Sequence, residues 1–201
     1  MDIKIKKVAG FTLIEVLVTL SIITVLSTAA SVSFIQYREK SKITKTTAEI
    51  SKIHQAINLL YNYTGKLPKG CVKDVLIDAE AYLNTQKGGL IEKPVADNSG
   101  GNCEWTEDDL SGWNGPYFQS AASNNESLID PWGNKYYVDF DYYGSSGYSP
   151  PSGPEAGPGC PSKLHNGIAV VSMGPDEKQY TCDDIAEYIK DCGSQKLSDC
   201  L

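Results

Sequence analysis

Cysteine and proline are absent from the first third of this chain, and charge is scarce in the part of it that spans residues 11–35. The first cysteine is Cys71, the first proline is Pro68, and Glu15 is the only charged residue between residues 11 and 35. At about 1.5 Å per residue, a helix over this stretch rises roughly 37 Å, which exceeds the roughly 30 Å hydrocarbon core of a bilayer. The scarcity of charge and proline therefore predicts a membrane-spanning helix over residues 11–35.

The charge balance limits the partners that the chain can attract. The formal charge is −7 and the isoelectric point is near 4.8, so no nucleic-acid partner is expected from electrostatics. Lys4, Lys6 and Lys7 precede the apolar run, and basic residues in that position hold their end of a span in the cytoplasm. The residues after Arg38 are then expected on the far side of the cytoplasmic membrane.

The motifs of common catalytic sites are missing as well. The sequence contains no GxSxG, no HExxH and no phosphate-binding loop, and its two histidines, His54 and His165, are interpreted as surface residues. We therefore expect no catalytic residues and no enzyme activity. Two rival classes stay open, namely an anchored exported enzyme and an adhesin that binds a ligand through the Gly-, Pro- and Tyr-rich loop at 144–161.

All the cysteines follow the apolar run, as disulfides in an exported domain would require. An even number in an exported segment favours disulfides, and six cysteines allow fifteen pairings. A zinc site is disfavoured because the sequence has no CxxC pair. Pairing of nearest neighbours gives Cys71–Cys103, Cys160–Cys182 and Cys192–Cys200.

The apolar run has two ordinary explanations that leave one residue unexplained. A cleaved signal peptide, cut after Thr28-Ala29-Ala30, and a plain membrane anchor both account for its hydrophobicity. Neither needs Glu15, since a carboxylate inside an apolar run costs about a few kcal/mol unless it is paired or near the interface. The residues GFTLIEV, numbers 10–16, resemble the prepilin motif of type IV pilins and type II secretion pseudopilins.

That resemblance implies a processing site and an assembly residue. A prepilin peptidase would cut after Gly10, Phe11 would become the methylated N-terminus, and Glu15 would meet the terminal amine of a neighbouring subunit. Removing the leader, which holds three lysines and one aspartate, changes the formal charge from −7 to −9. The expected partners are copies of the same subunit, the peptidase, an inner-membrane assembly platform, minor pilins or pseudopilins, and membrane lipid before assembly.

The helix is predicted to continue beyond the membrane. Apolar residues recur at spacings of three, four and seven, and no proline interrupts residues 11–64 before Gly65 ends the pattern. The domains are then a basic leader (1–10), an apolar assembly helix (11–35), its amphipathic continuation (36–64) and an extracytoplasmic head (65–201). The predicted buried stripe of the continuation is Ile43, Ile50, Ile53, Ile57, Leu60 and Tyr61.

The head is predicted to combine short helices with a small antiparallel sheet. Apolar spacing indicates a helix over 72–84, loop over 85–116, strands at 135–142 and 167–173, and a short helix over 183–190. One long helix packed on such a sheet is an α+β arrangement, the type IV pilin fold that the resemblance implies.

Within the head, a succession of motifs resembles the major pseudopilin of type II secretion. These are YNYTGKLP at 61–68, WNGPY at 113–117, DPWGNKY at 130–136 and SMGPD at 172–176. Some type IV pilins share a DPWG-type head, and this chain adds loops and cysteines, so a surface pilus for adhesion, motility or DNA uptake stays open. Either role implies an inner-membrane subunit that later enters a periplasmic or extracellular filament.

A calcium site is also implied by the resemblance. Major pseudopilins carry a GPD…DD loop, and here Asp176 precedes Asp183 by seven residues with Asp184 beside it. Calcium takes six to eight oxygen ligands, which carboxylates and backbone carbonyls such as those near Ser172 and Met173 could supply. The alternative is a solvated acidic loop in which Asp183 or Thr181 caps the next helix.

Overall fold

The computed structural model describes residues 11–73, 80–97, 100–119, 128–142, 167–179 and 183–192, with only the backbone described at 28–33. The chain divides into two compact units, Met1–Ser41 and Lys42–Leu201. The described part of the first unit is helical from Leu13 onward. The second unit holds the rest of that helix and the sheet.

A single long helix, α1 (Leu13–Thr64), confirms the predicted continuous helix. The sequence contains neither glycine nor proline between residues 11 and 64, the two residue types that most disfavour helix interiors. The helix ends where Gly65 adopts a left-handed φ of 70°, and the Gly65 N–H donates to the carbonyl of Tyr61 at 2.7 Å. The absence of glycine and proline and the position of Gly65 were therefore enough to predict where this helix ends.

The second half of α1 buries one face against the sheet of the same unit. Ile50, Ile53, Ile57 and Leu60 are at most 1% exposed and form the main core, with Ala56 among them. Tyr61 is half-buried against this core. Ile43, in contrast, is 43% exposed, so the predicted stripe begins one heptad later than expected.

The sheet is antiparallel, with its four strands in chain order. Strands β1 (Glu80–Tyr82), β2 (Tyr137–Tyr142), β3 (Gly167–Ser172) and β4 (Ile185–Asp191) pair successively. Strands β2 and β3 confirm the predicted strands at 135–142 and 167–173. In β2 and β3, residues of one face join the α1 core, and alternate residues form a second cluster on the opposite face. The helix-side residues are Val138, Phe140, Ile168 and Val170.

The prediction of two short helices in the head is wrong for those of their residues that the structure describes. Residues 80–82 of the predicted 72–84 helix form β1, while residues 74–79 lie outside the described residues. Residues 185–190 of the predicted 183–190 helix belong to β4. Ile185 and Ile189 are four residues apart, a spacing that puts both side chains on one face of a helix and also on one face of a strand. Pairing with β3 decides in favour of the strand.

The predicted loop over 85–116 is more ordered than expected. It contains a 3₁₀ turn (Gln86–Gly88) and the five-residue helix α2 (Glu107–Ser111), whose first turn is closed by a reciprocal capping box between Thr106 and Asp109. Trp105 is fully buried, and its indole N–H donates to the Lys87 carbonyl at 2.9 Å. This segment is therefore packed onto the main core rather than merely connecting the strands.

The packing of the core predicts that alanine substitutions at two nearby positions of α1 change the free energy of unfolding by different amounts. Ile57 is 0% exposed and Leu59 is 47% exposed. Ile57→Ala is expected to lower the free energy of unfolding by about 2–5 kcal/mol, because it removes buried methyl groups and leaves a cavity. Leu59→Ala is the matched control and is expected to change it by less than about 0.5 kcal/mol. Denaturant unfolding followed by tryptophan fluorescence measures both, and equal losses would contradict the packing described here.

Candidate functional site

The first unit exposes an unusually large apolar surface. Phe11 is 89% exposed, and every described large apolar side chain from Leu13 to Leu26 is at least 47% exposed. Monomeric soluble proteins rarely expose contiguous apolar area of this extent, which marks interaction with lipid or with another protein. The surface lies on a regular helix, so a partner that binds here would contact a continuous apolar surface.

The only carboxylate of this segment, that of Glu15, is held by the start of its own helix. Both the backbone N–H and the hydroxyl of Thr12 donate to Glu15 Oε2 at 2.8 Å, and the Glu15 N–H donates to the Thr12 hydroxyl at 3.4 Å. This reciprocal arrangement is a capping box, which satisfies backbone donors that the first turn of a helix leaves open. Glu15 therefore has a local bonding partner within a single chain.

Apolar side chains surround the Glu15 carboxylate on the helix surface. Phe11, Ile14, Val18 and Thr19 line a shallow hollow together with Glu15. These residues are spaced by three and four positions and so share one side of the helix. Where lipid or a neighbouring helix covers this exposed hollow, the attraction between the carboxylate and an oppositely charged group becomes stronger than in water.

Gly10, the predicted cleavage position, lies outside the described residues, whereas Phe11 is described and exposed. None of the helices in the described ranges is sufficiently long and apolar to cross a membrane.

The acidic loop after β3 brings two of the three predicted calcium ligands together. Asp183 Oδ2 accepts the backbone N–H of Asp176 at 2.9 Å, and Asp176 Oδ1 accepts the N–H of Lys178 at 2.9 Å. Gly174, at φ 65°, lets the chain pass closely, since an added Cβ would lie 2.3 Å from the Asp183 carbonyl oxygen. Asp184 instead accepts the hydroxyl of Tyr142 at 3.2 Å.

Within the described ranges, no group of three His, Cys, Asp or Glu side chains is arranged to hold a metal ion. If calcium binds to the predicted ligands Asp176 and Asp183, backbone carbonyls or further carboxylates would have to complete the shell. Capping of a following helix by Asp183 does not occur, because residues 185–191 form a strand.

The DPWG turn, residues 130–133, is linked by hydrogen bonds to the end of β3 and to the acidic loop, in part through a buried carboxylate. Asp130 is 4% exposed, and its Oδ2 accepts the Ser172 hydroxyl at 2.6 Å. Its Oδ1 accepts the N–H groups of Trp132 and Asn134 at 3.0 and 2.8 Å. The Asn134 amide in turn donates to the Gly174 carbonyl at 3.4 Å. The turn and the loop therefore form one hydrogen-bonded unit.

One predicted disulfide is confirmed. Cys71 and Cys103 are bonded across a sequence separation of 32 residues, and the loop that they close contains β1. Cys192 is also disulfide-bonded. Cys160, Cys182 and Cys200 lie outside the described residues, so the pairings Cys160–Cys182 and Cys192–Cys200 stay predictions.

Polar contacts fasten α1 to the head, and one of them corrects an expectation. His54, predicted to face solvent, is half-buried, and its Nδ1 lies 2.6 Å from Glu187 Oε1 on β4. Tyr136 donates its hydroxyl to Glu49 Oε2 at 2.8 Å. Burial, followed by this bond to a carboxylate, raises the pKa of the Tyr136 phenol far above its usual value, so it stays a donor. Both contacts join α1 to the sheet or to the segment that leads into it.

Thr12 is the site residue that the sequence analysis missed. Its signal was present, because Thr12 and Glu15 have the T-x-x-E spacing of a capping box directly before an apolar helical run. Glu15, which is predicted to contact a neighbouring subunit, is therefore also part of a local helix cap.

Comparison with known proteins identifies the start of the chain. Residues 5–31 match the family model described as the prokaryotic N-terminal methylation motif, which is typical of type IV prepilin-like proteins. No curated protein and no solved structure matches the chain. The motif and the long helix followed by a four-stranded antiparallel sheet are consistent with the type IV pilin fold.

Proposed function

We propose that this chain is the precursor of a structural subunit of a type IV filament. A prepilin peptidase cuts it after Gly10, and the mature subunits polymerise through residues 11–35 of α1. The observation that carries the proposal is the exposed apolar helix that begins at the methylation motif and holds its one carboxylate in a capping box. A helix that exposes apolar side chains over residues 11–26 is what a helical filament core requires.

Before assembly, the subunit resides in the cytoplasmic membrane with its head outside the cytoplasm. An inner-membrane assembly platform and minor pilins or pseudopilins are the further partners that this role requires. The subunit is structural and carries out no catalysis, in agreement with the class of protein to which the methylation motif points.

The filament is most similar in design to a type II secretion pseudopilus. The succession of head motifs, in which DPWG and SMGPD meet in one hydrogen-bonded unit, supports this assignment. A type IV pilus for adhesion, motility or DNA uptake is the second candidate, favoured by the added loops and cysteines. Complementation separates them: the chain should restore protein export to cells lacking a major pseudopilin and should fail to restore twitching to cells lacking a major pilin. The reverse pattern would support the pilus.

The class itself is tested by electron microscopy of cells that express the chain with or without a prepilin peptidase and assembly platform. Filaments that contain the chain are expected only when both are present. Their absence under every condition, with the chain stably expressed, would reject the proposal.

We further propose that Asp176 and Asp183 bind calcium, with Asp184 as a third candidate. The hydrogen bond from the Asp176 backbone N–H to the Asp183 carboxylate supports this, since it brings the two residues close enough for one ion to neutralise both charges and tie the loop to β4. Calcium that binds only the folded state stabilises it by mass action.

Thermal unfolding of the full chain in detergent tests the calcium site. Millimolar calcium is expected to raise the midpoint by several degrees relative to chelator, and Asp183→Ala is expected to abolish this shift. Glu92→Ala, which changes an exposed carboxylate elsewhere, serves as the control and should keep it. The same midpoint with calcium and chelator in the unsubstituted chain would reject the calcium site.

A further inference from the structure

Near the end of the apolar run, α1 contains a short segment in which exposed apolar residues are followed by basic residues. Residues 34–40 contain the exposed apolar residues Phe34, Ile35 and Tyr37, followed by the exposed cations Arg38 and Lys40. Phe34, Ile35 and Tyr37 are 61%, 64% and 72% exposed. We call residues 34–40 the collar. It is the first place after Glu15 at which charge returns.

We propose that the collar binds the phosphate headgroups of anionic lipid on the outer side of the cytoplasmic membrane and sets the depth of the subunit before assembly. The proposal rests on the filament function proposed above, because that function requires a membrane-held subunit. It adds the lipid class and the residues that recognise it.

The arrangement of the collar around the helix favours lipid over a neighbouring subunit. With about 3.6 residues per turn, Phe34 and Arg38 share one side, while Ile35, Tyr37 and Lys40 lie on other sides. The Arg38 guanidinium carbon lies 5.8 Å from the centre of the Phe34 ring. A neighbouring subunit covers one side of a helix, whereas headgroups surround it, so a ring of similar residues suits a membrane surface.

The dimensions and residue types of the collar also fit an interface. From residue 34 to residue 40 the helix rises about 9 Å, and the headgroup layer on each side of a bilayer is about 5–8 Å thick. Aromatic residues are enriched at this level, and the long side chains of Arg and Lys place their charges there while their stems stay in apolar surroundings. The order of the collar, apolar and aromatic first and cationic second, follows the direction from hydrocarbon to water.

The charge distribution of the chain supports an anionic occupant. Residues 38–45 hold four basic residues and Glu39, a net charge of +3. From residue 67 to the end, 21 acidic and nine basic residues give a net charge of −12. An anionic membrane therefore repels the head and attracts the segment directly after the apolar run, which keeps the head clear of the surface.

The test is a competition between two vesicle populations for the full precursor. The chain is diluted from detergent into equal amounts of phosphatidylglycerol–phosphatidylcholine vesicles and pure phosphatidylcholine vesicles, which are then separated by flotation. The leader is common to all variants and cancels in their comparison. Each basic side chain near an anionic surface contributes roughly fivefold to binding, so Arg38→Gln/Lys40→Gln is expected to lower the preference for anionic vesicles roughly 30-fold. High salt should reduce the preference of the original chain.

Two controls separate the collar from net charge. Arg38→Lys/Lys40→Arg keeps both charges and should keep the preference. Lys52→Gln/Lys93→Gln removes two exposed charges elsewhere and should change it by less than about twofold. An unchanged preference in the collar variant, or an equal loss in the Lys52/Lys93 variant, would overturn the proposal.

Filament formation by the same variants distinguishes this proposal from the function on which it rests. A collar variant that keeps the lipid preference but loses filaments would assign the collar to subunit contacts and reject lipid binding. Normal filaments from an original chain without any preference for anionic vesicles would reject the collar proposal alone. A preference without filaments, even with peptidase and platform present, would reject the filament function alone.

Discussion

A Gly10→Val precursor is expected to keep its leader completely and to form no filaments. The prepilin resemblance places Gly10 directly before the cut, and valine would add a β-branched side chain where the peptidase meets a residue without one. Uncut chains would keep Lys4, Lys6 and Lys7 in front of the apolar run. Drawing these charges out of the cytoplasm costs roughly 2.3 kcal/mol per charge for every 100 mV of membrane potential, so the precursor should stay in the membrane.

Immunoblotting for the ten-residue size difference measures cleavage, and electron microscopy measures assembly. Ala9→Val is the matched control, because it places the same side chain one residue further from the cut. It is expected to be processed and assembled. Normal processing of Gly10→Val would contradict the assigned cleavage position.

Loss of the Glu15 carboxylate is expected to reduce filaments by at least tenfold while leaving membrane insertion intact. Glu15→Val removes a group that is costly in apolar surroundings, so insertion should be at least as efficient as in the original chain. Assembly should fail because the terminal amine of a neighbouring subunit loses its counter-charge within the apolar hollow beside Phe11. Membrane fractionation and filament counts measure the two effects separately.

The capping box at Thr12 offers a different explanation that a second variant resolves. Glutamine can replace glutamate in a capping box but carries no charge. If Glu15 acts through its charge, Glu15→Gln is expected to lose filaments as Glu15→Val does. Thr12→Val, which removes the hydroxyl of the cap and keeps the carboxylate, should retain most of them. Filaments from Glu15→Gln together with none from Thr12→Val would assign Glu15 to helix capping instead.

The long helix and the two central strands could be predicted because their signals were local and consistent. Continuous apolar spacing without glycine or proline gives α1, and the runs at 137–142 and 167–172 are rich in β-branched and aromatic residues. The burial of Ile50, Ile53, Ile57 and Leu60 follows from the same spacing.

The edge strands could not be predicted because the partner strand determines their conformation. Ile185 and Ile189 satisfy helical and strand periods equally, and only pairing with β3 separates the two. The same holds for Glu80–Tyr82, which pairs with β2 residues more than fifty positions later in the chain. Contacts of this kind depend on tertiary structure, which propensity does not contain.

The candidate site was predicted in part for a similar reason. Glu15 stood out because a charge is rare in an apolar run, and the structure adds the local bond to Thr12. The calcium-binding role of Asp176 and Asp183 stays a prediction, and the direction of Asp184 toward Tyr142 depends on packing between β2 and the loop. The collar could not be predicted from the sequence, because its proposed role depends on the exposure of Phe34, Ile35 and Tyr37.

The most direct test of the central claim is the N-terminus of the chain in cells that contain a prepilin peptidase. Intact mass and peptide sequencing of purified filaments or membranes would determine it. The account predicts a chain that begins with methylated Phe11. A chain that begins after Ala30, in the middle of the described helix α1, would contradict it and would identify the apolar run as an ordinary signal peptide.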